Sequence, residues 1–233
     1  MTDPPLDPVP LDPVPHTVLF DLDGTIVDSK PGIVAGIRAA LAAVDADPGP
    51  DHDWDSYIGP ALRPMLAERH DLTGADLDRA IDTYLTSYDT SGKYDLTPYP
   101  GVVETLADLA SGGRQVALAT TKRRWLAVDI VEHVGVAPHL HVVAGAAADG
   151  TGGDKATLIR HVLDHLGVDE DGLDGVAMVG DRHHDIVGAR TIGVTAIGVL
   201  WGYGSAAELT DAGAHHLVAD ADALRSVLGL NRP

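Results

Sequence analysis

"VLFDLDGTIVDS", residues 18–29, sets three apolar side chains directly before Asp21 and, two positions later, Asp23. A buried strand ending in two acids is costly, because close carboxylates repel and burial penalises each of them. In an extended segment residues i and i+2 face the same way, so Asp21 and Asp23 converge at the carboxyl end of a strand over 17–20. Ligands bind at that end in open α/β sheets. Gly24 lets the chain turn there, and Thr25 can tie the turn through its hydroxyl.

A second stretch repeats the signature. "VAMVGDRHHDI" (176–186) ends its apolar run at Gly180–Asp181, with Asp185 four residues on at the start of a helix. If the two strands are neighbours, four carboxylates meet at one edge, and only a cation makes that tolerable. Hard oxygen donors in a chain without cysteine point to Mg²⁺. Two more segments supply what an anionic substrate needs. "ALATTK" (117–122) ends in hydroxyls and Lys122. "GGDKATLI" (152–159) places Lys155 at a helix N-terminus, where backbone N–H groups and a fixed cation suit a phosphoryl group. The chain has only four lysines, at 30, 93, 122 and 155, so two of them fall at the expected functional edge.

Around these motifs, short apolar runs alternate with helical stretches. The runs cover 17–20, 115–120, 140–145, 175–180, 194–200 and 216–220; the helices include 102–111, 124–134, 154–166 and 185–191. Continuous apolar strands separated by helices predict an α/β fold, a Rossmann-like parallel sheet with helices on both faces. One interval departs from the alternation. Between Ser29 and Tyr94 the pattern predicts amphipathic helices over 31–44, 60–70 and 74–88 and no strand. The expected organisation is therefore a proline-rich tail over 1–15, an α/β core from 16–28 and 96–233, and an inserted all-α cap over 29–95. The tail contains "LDPVP" twice, at 6–10 and 11–15, and reads as a solvated polyproline-like extension.

Composition narrows the function classes. The net charge is −19, and thirty of the 35 acids are Asp. Such a surface repels nucleic acid and anionic membranes. No apolar run spans a bilayer and no signal-peptide pattern begins the chain, so a cytoplasmic protein is expected, as monomer or homodimer. "HVLDH" (161–165) lacks the Glu that a metalloprotease helix requires. His183 and His184 read as solvated loop residues. Trp201 and Tyr203 read as packing on the cap or at a dimer contact.

"DLDGT", "LATTK", the lone Lys155 and "GDRHHDI", in this order and spacing, resemble the four motifs of the haloacid-dehalogenase-like superfamily. The resemblance covers the chain from residue 16 onward. It is similar to the α-helical-cap members, in the phosphoglycolate-phosphatase-like and nucleotidase-like branches. It implies Asp21 as nucleophile, Asp23 as general acid/base, Thr120 as hydrogen-bond donor to the phosphoryl group, and Lys155 as its neutralising partner. It further implies Mg²⁺ held at Asp21, Asp181 and Asp185, with the main-chain carbonyl of Asp23 as a further ligand. Thr121, Arg63 and Lys93 are the candidate substrate-binding residues. The expected activity is a Mg²⁺-dependent phosphomonoesterase acting on a small phosphorylated metabolite. Asp at position 23 favours phosphate esters, since dehalogenases of the family have no alkoxide to protonate there. "KAT" at 155–157, where many phosphoglycolate phosphatases carry Lys-Pro, tilts the reading toward the nucleotidase-like branch. A phosphomutase of the β-phosphoglucomutase kind, or a non-catalytic phosphate-binding protein, are the alternatives.

Overall fold

The computed structural model describes residues 10–46, 52–54, 57–58 and 62–230. The first "LDPVP" copy, apart from Pro10, and part of the 45–61 stretch lie outside them. The chain divides into two compact units, one of Met1–Ile26 with Pro98–Pro233 and the other of Val27–Thr97.

The larger unit is built on strands β1 (Thr17–Phe20), β4 (Gln115–Arg123), β5 (Val142–Ala146), β6 (Val176–Gly180), β7 (Thr195–Val199) and β8 (His216–Val218). They form one sheet in the order β5-β4-β1-β6-β7-β8. Every neighbouring pair is parallel. β1 is therefore central, with β4 on one side and β6 on the other. The strand order reverses across β1 and β6, the topological switch where ligands collect.

Helices α4 (Val102–Ser111), α5 (Arg124–His133), α6 (Lys155–Leu166), α7 (His183–Ile192), α8 (Ala206–Asp211) and α9 (Ala221–Val227) surround the sheet. Alternate strand residues build one core layer. Leu19, Ala117, Ala119, Val176 and Met178 pack with Leu158, Ile159, Val162 and Leu163 of α6 and Ile186 and Ala189 of α7. The intervening residues Val18, Phe20, Val116, Leu118, Ala177 and Val179 face the other way and are equally buried. Burial on both faces explains why these strands are continuous apolar runs.

The smaller unit is helical: α1 (Lys30–Ala42), α2 (Leu62–His70) and α3 (Gly74–Thr90). Gly36 lies under the Tyr84 ring, where an added Cβ would stand 3.1 Å away, so α1 and α3 approach closely. No strand falls between Ser29 and Tyr94 among the described residues. A two-stranded pair, β2 (Val27–Asp28) with β3 (Thr97–Pro98), flanks the interval. At two residues each, these strands are too short to carry a periodicity.

The tail needs a correction. Residues 12–14 are exposed as expected, but the segment is tied down at both ends. Leu11 N–H donates to Val227 O at the end of α9 (2.9 Å), and Pro15 is buried. The Val14 methyls lie against Gly229, 3.2 Å from where a Cβ would stand. Proline's missing N–H removes ladder donors, but the Pro15 ring is apolar and is buried here, while Pro13 stays exposed.

Phe20, fully buried on the central strand, gives the fold a direct test. Phe20→Ala is expected to cost about 3–5 kcal/mol in urea denaturation, the range for truncating a buried aromatic.

Candidate active site

The sheet topology brings the motif residues together. β4, β1 and β6 are adjacent, and each carries a candidate residue in or just after its carboxyl-terminal part: Thr120, Asp21 and Asp181. Asp21 N–H donates to Val179 O (2.9 Å), extending the β1–β6 pairing by one residue into the site. Asp185 is in the first turn of α7, where its Oδ2 accepts from Arg182 N–H (3.0 Å). Lys155 is the first residue of α6, after Asp154, whose side chain caps the helix by accepting from Thr157 N–H.

Lys155 joins the parts. Its ammonium donates to Asp21 Oδ1 (2.8 Å) and to Ala119 O (2.7 Å), and lies 2.7 Å from Asp185 Oδ1. All three residues' side chains are almost wholly buried. A Cβ on Gly188 would stand 2.8 Å from Lys155 Cγ, so the α7 glycine makes room for the lysine stem. Burial alone would lower the Lys155 pKa, but Asp185 and Asp21 outweigh it and hold the ammonium above the ordinary lysine range.

The acids have unequal surroundings. Burial pushes Asp21 from 3.8 up to about 6, against the opposing pull of Lys155. Burial likewise pushes Asp181 well up, with Asp185 and Asp21 adding to the effect. For Asp185 burial is overcome by Lys155 and His184, and its carboxyl is held below the usual range. Burial drives His184 down to about 4, so its imidazole is neutral at neutral pH.

Oxygen atoms of Asp21, Asp181 and Asp185 lie within 4.8 Å of one another. Asp185 Oδ1 makes no hydrogen bond; its approach to Lys155 is an ion pair without hydrogen-bond alignment. Lys155 therefore pairs with two of the three buried carboxylates, and Asp185 keeps an oxygen without a hydrogen bond. The donor set fits a hard divalent cation, which would balance the excess charge.

Of the four carboxylates expected to converge, Asp21, Asp181 and Asp185 form this group. The Asp23 side chain pairs with Lys122 Nζ at 3.0 Å, both side chains being largely buried. Lys122 is brought there by the end of β4, where the register against β5 shifts between Thr120 and Arg123. Thr120 is buried and accepts from Lys122 N–H through its hydroxyl (3.2 Å); Thr121 is half-buried beside it. In the helical unit Arg63 pairs with Asp78 (2.8 Å) on an exposed face. Lys93 is buried and pairs with Asp89 (2.8 Å). Both cations thus have acidic partners within their own unit.

A family model described as haloacid dehalogenase-like hydrolase matches residues 18–199. The chain belongs to that family. The hydrolase is 35% identical to a 5'-nucleotidase of Pseudomonas aeruginosa over 91% of this chain and 94% of the relative. It is 30% identical to a phosphoglycolate phosphatase of Agrobacterium fabrum, over 82% and 83% of the two chains. It is also 37% identical to the tyrosine-protein kinase PtkA of Mycobacterium tuberculosis, over 93% of this chain and 73% of that protein. The solved structure of that kinase superposes with a TM-score of 0.78, covering 93% and 99% of the chains.

Sequence reasoning missed the segment that closes over the hydrolase's Asp181. Trp201 and Tyr203, expected to pack on the cap or at a dimer contact, both make hydrogen bonds inside the larger unit. Trp201 Nε1–H donates to Thr25 O (3.1 Å), and Tyr203 N–H donates to Asp181 Oδ2 (2.8 Å). His183 and His184 are not loop residues either; they open α7, and His184 is mostly buried. The available signal was the pair of glycines at 202 and 204, which reads as an ordinary turn.

A cation held at Asp21 would compete with protonation there. Because folding raises its pKa to about 6, the folded protein holds a proton there that the unfolded chain releases near 3.8. A cation must displace that proton below pH ~6. The increase in Tm produced by a saturating divalent cation is therefore expected to be full at neutral pH and to shrink as pH falls through about 6, measured by thermal shift.

Proposed function

We propose that this hydrolase is a Mg²⁺-dependent phosphomonoesterase that passes a phosphoryl group from a small metabolite to Asp21 and then to water. One observation supports this most: Asp21 is oriented by Lys155 inside the buried acidic cluster, while Asp23 stands outside the cluster beside Lys122. The two acids therefore have separate environments, as separate roles require.

In the proposed first step Asp21 attacks phosphorus, and the bond from phosphorus to the leaving oxygen breaks. Asp23 gives its proton to that oxygen, so an alcohol departs and an aspartyl-phosphate remains. In the second step Asp23 takes a proton from water as the water attacks phosphorus. Inorganic phosphate leaves and the Asp21 carboxylate is restored. Lys155 holds Asp21 in line and offsets phosphoryl charge, and the Thr120 hydroxyl donates to a phosphoryl oxygen. Mg²⁺, held by Asp21, Asp181, Asp185 and the main-chain carbonyl of Asp23, would supply further neutralisation of that charge. These parts serve a reaction for which enzymes reach accelerations up to about 10²¹.

The substrate classes proposed are phosphoglycolate, nucleoside monophosphates and sugar phosphates; the names of the nucleotidase and phosphoglycolate phosphatase relatives support the first two. Phosphate release from that panel tests the reading. Asp21→Asn is expected to reduce release by about 10³-fold or more. Asp23→Asn is expected to lose about 10²- to 10⁴-fold on alkyl phosphates. On 4-nitrophenyl phosphate, whose leaving group needs no proton, the same variant should give a burst of nitrophenol followed by slow turnover. Full turnover of an alkyl phosphate by Asp23→Asn would contradict the assignment.

A further inference from the structure

Asp181 is enclosed by backbone. A Cβ on Gly24 would stand 2.1 Å from Asp181 Oδ2, and one on Gly202 would stand 2.4 Å from Asp181 Cβ. At Gly204 it would stand 1.9 Å from Asp181 O. Two of these three glycines belong to the segment 201–208, which ends at Glu208 in the first turn of α8. Ser205 Oγ accepts from Glu208 N–H and caps that helix (3.1 Å).

The Glu208 side chain does not serve its own helix. Its Oε1 accepts from Arg182 Nε–H (2.9 Å) and from His183 N–H (2.9 Å), and lies 3.2 Å from His183 Nδ1. Arg182 and His183 are the residues directly after Asp181, on the way to Asp185. Arg182 N–H in turn donates to Asp185 Oδ2. One carboxylate thus grips the link between two acids of the cluster, while Tyr203 N–H from the same segment fixes Asp181 itself.

We infer that Glu208 is a positioning residue for the cation site: by holding residues 182 and 183 it fixes the spacing of Asp181 and Asp185 and so sets the affinity for the divalent ion. The inference rests on the reading of those two acids as cation ligands. Partners that orient metal ligands from behind typically govern affinity by 10- to 100-fold. A partly exposed ion pair contributes little to global stability, so a mere surface staple would leave affinity unchanged.

The test is Mg²⁺ titration calorimetry on the wild type, Glu208→Ala and Glu208→Gln, with melting of each metal-free protein alongside. Glu208→Ala is expected to bind Mg²⁺ at least about tenfold more weakly. Glu208→Gln, which keeps an acceptor oxygen, should fall between it and the wild type. The Mg²⁺ concentration for half-maximal activity should rise in the same order, with kcat at saturating Mg²⁺ largely retained. If Glu208→Ala does not fold, a clear loss of affinity in Glu208→Gln supports the role. Wild-type affinity in the variant measured would overturn it, whatever the change in Tm. An intact affinity pattern without release of phosphate from any ester would count against the phosphomonoesterase and leave the positioning role standing.

Discussion

The site depends on one buried ammonium. Lys155 reaches from the start of α6 to Asp21 at the end of β1 and to Asp185 in the first turn of α7. An unpaired charge at such depth is strongly destabilising, so lysine and acids must be assembled together or not at all. That requirement couples chain segments far apart in sequence. It also explains features with no chemistry of their own. Gly188 is small because the lysine stem passes it, and Ala119 O supplies the ammonium with a second hydrogen-bond acceptor beside Asp21.

The ammonium does not balance the cluster. Three carboxylates meet one lysine, and burial responds by raising Asp21 and Asp181 while Lys155 keeps Asp185 ionised. In water such a concentration of charge would be screened; here the shortfall remains as raised pKa values and an orphaned Asp185 oxygen. In the proposed reaction a divalent cation and a phosphoryl dianion would meet here. Asp23 has its own cation in Lys122, yet its charge still adds to the push on Asp21 two residues away.

Much of this was legible in the sequence, for a definite reason. Acids placed directly after apolar runs have nowhere to go but the end of a buried strand, so Asp21 and Asp181 declared the sheet edge. Lys155 stood out because lysine is scarce in this chain. Less legible was the pairing of Asp23 with Lys122, since that lysine comes from the end of another strand, β4. Glu208 was invisible because its role comes entirely from a contact across 25 residues of chain. Gly202 and Gly204 matter for what they exclude, which a turn-like composition does not reveal. Arg63 and Lys93 read as cations for a second anionic group, and their pairing with Asp78 and Asp89 is a contact the sequence does not announce.

The central claim is that Asp21 carries the phosphoryl group. Its most direct test is acid quenching during turnover, followed by peptide mass analysis of the denatured protein. A phosphoryl adduct confined to the peptide containing Asp21, labile to hydroxylamine and absent from Asp21→Asn, is the expected result. Turnover without any adduct, or an adduct on His183 or His184 instead, would contradict it.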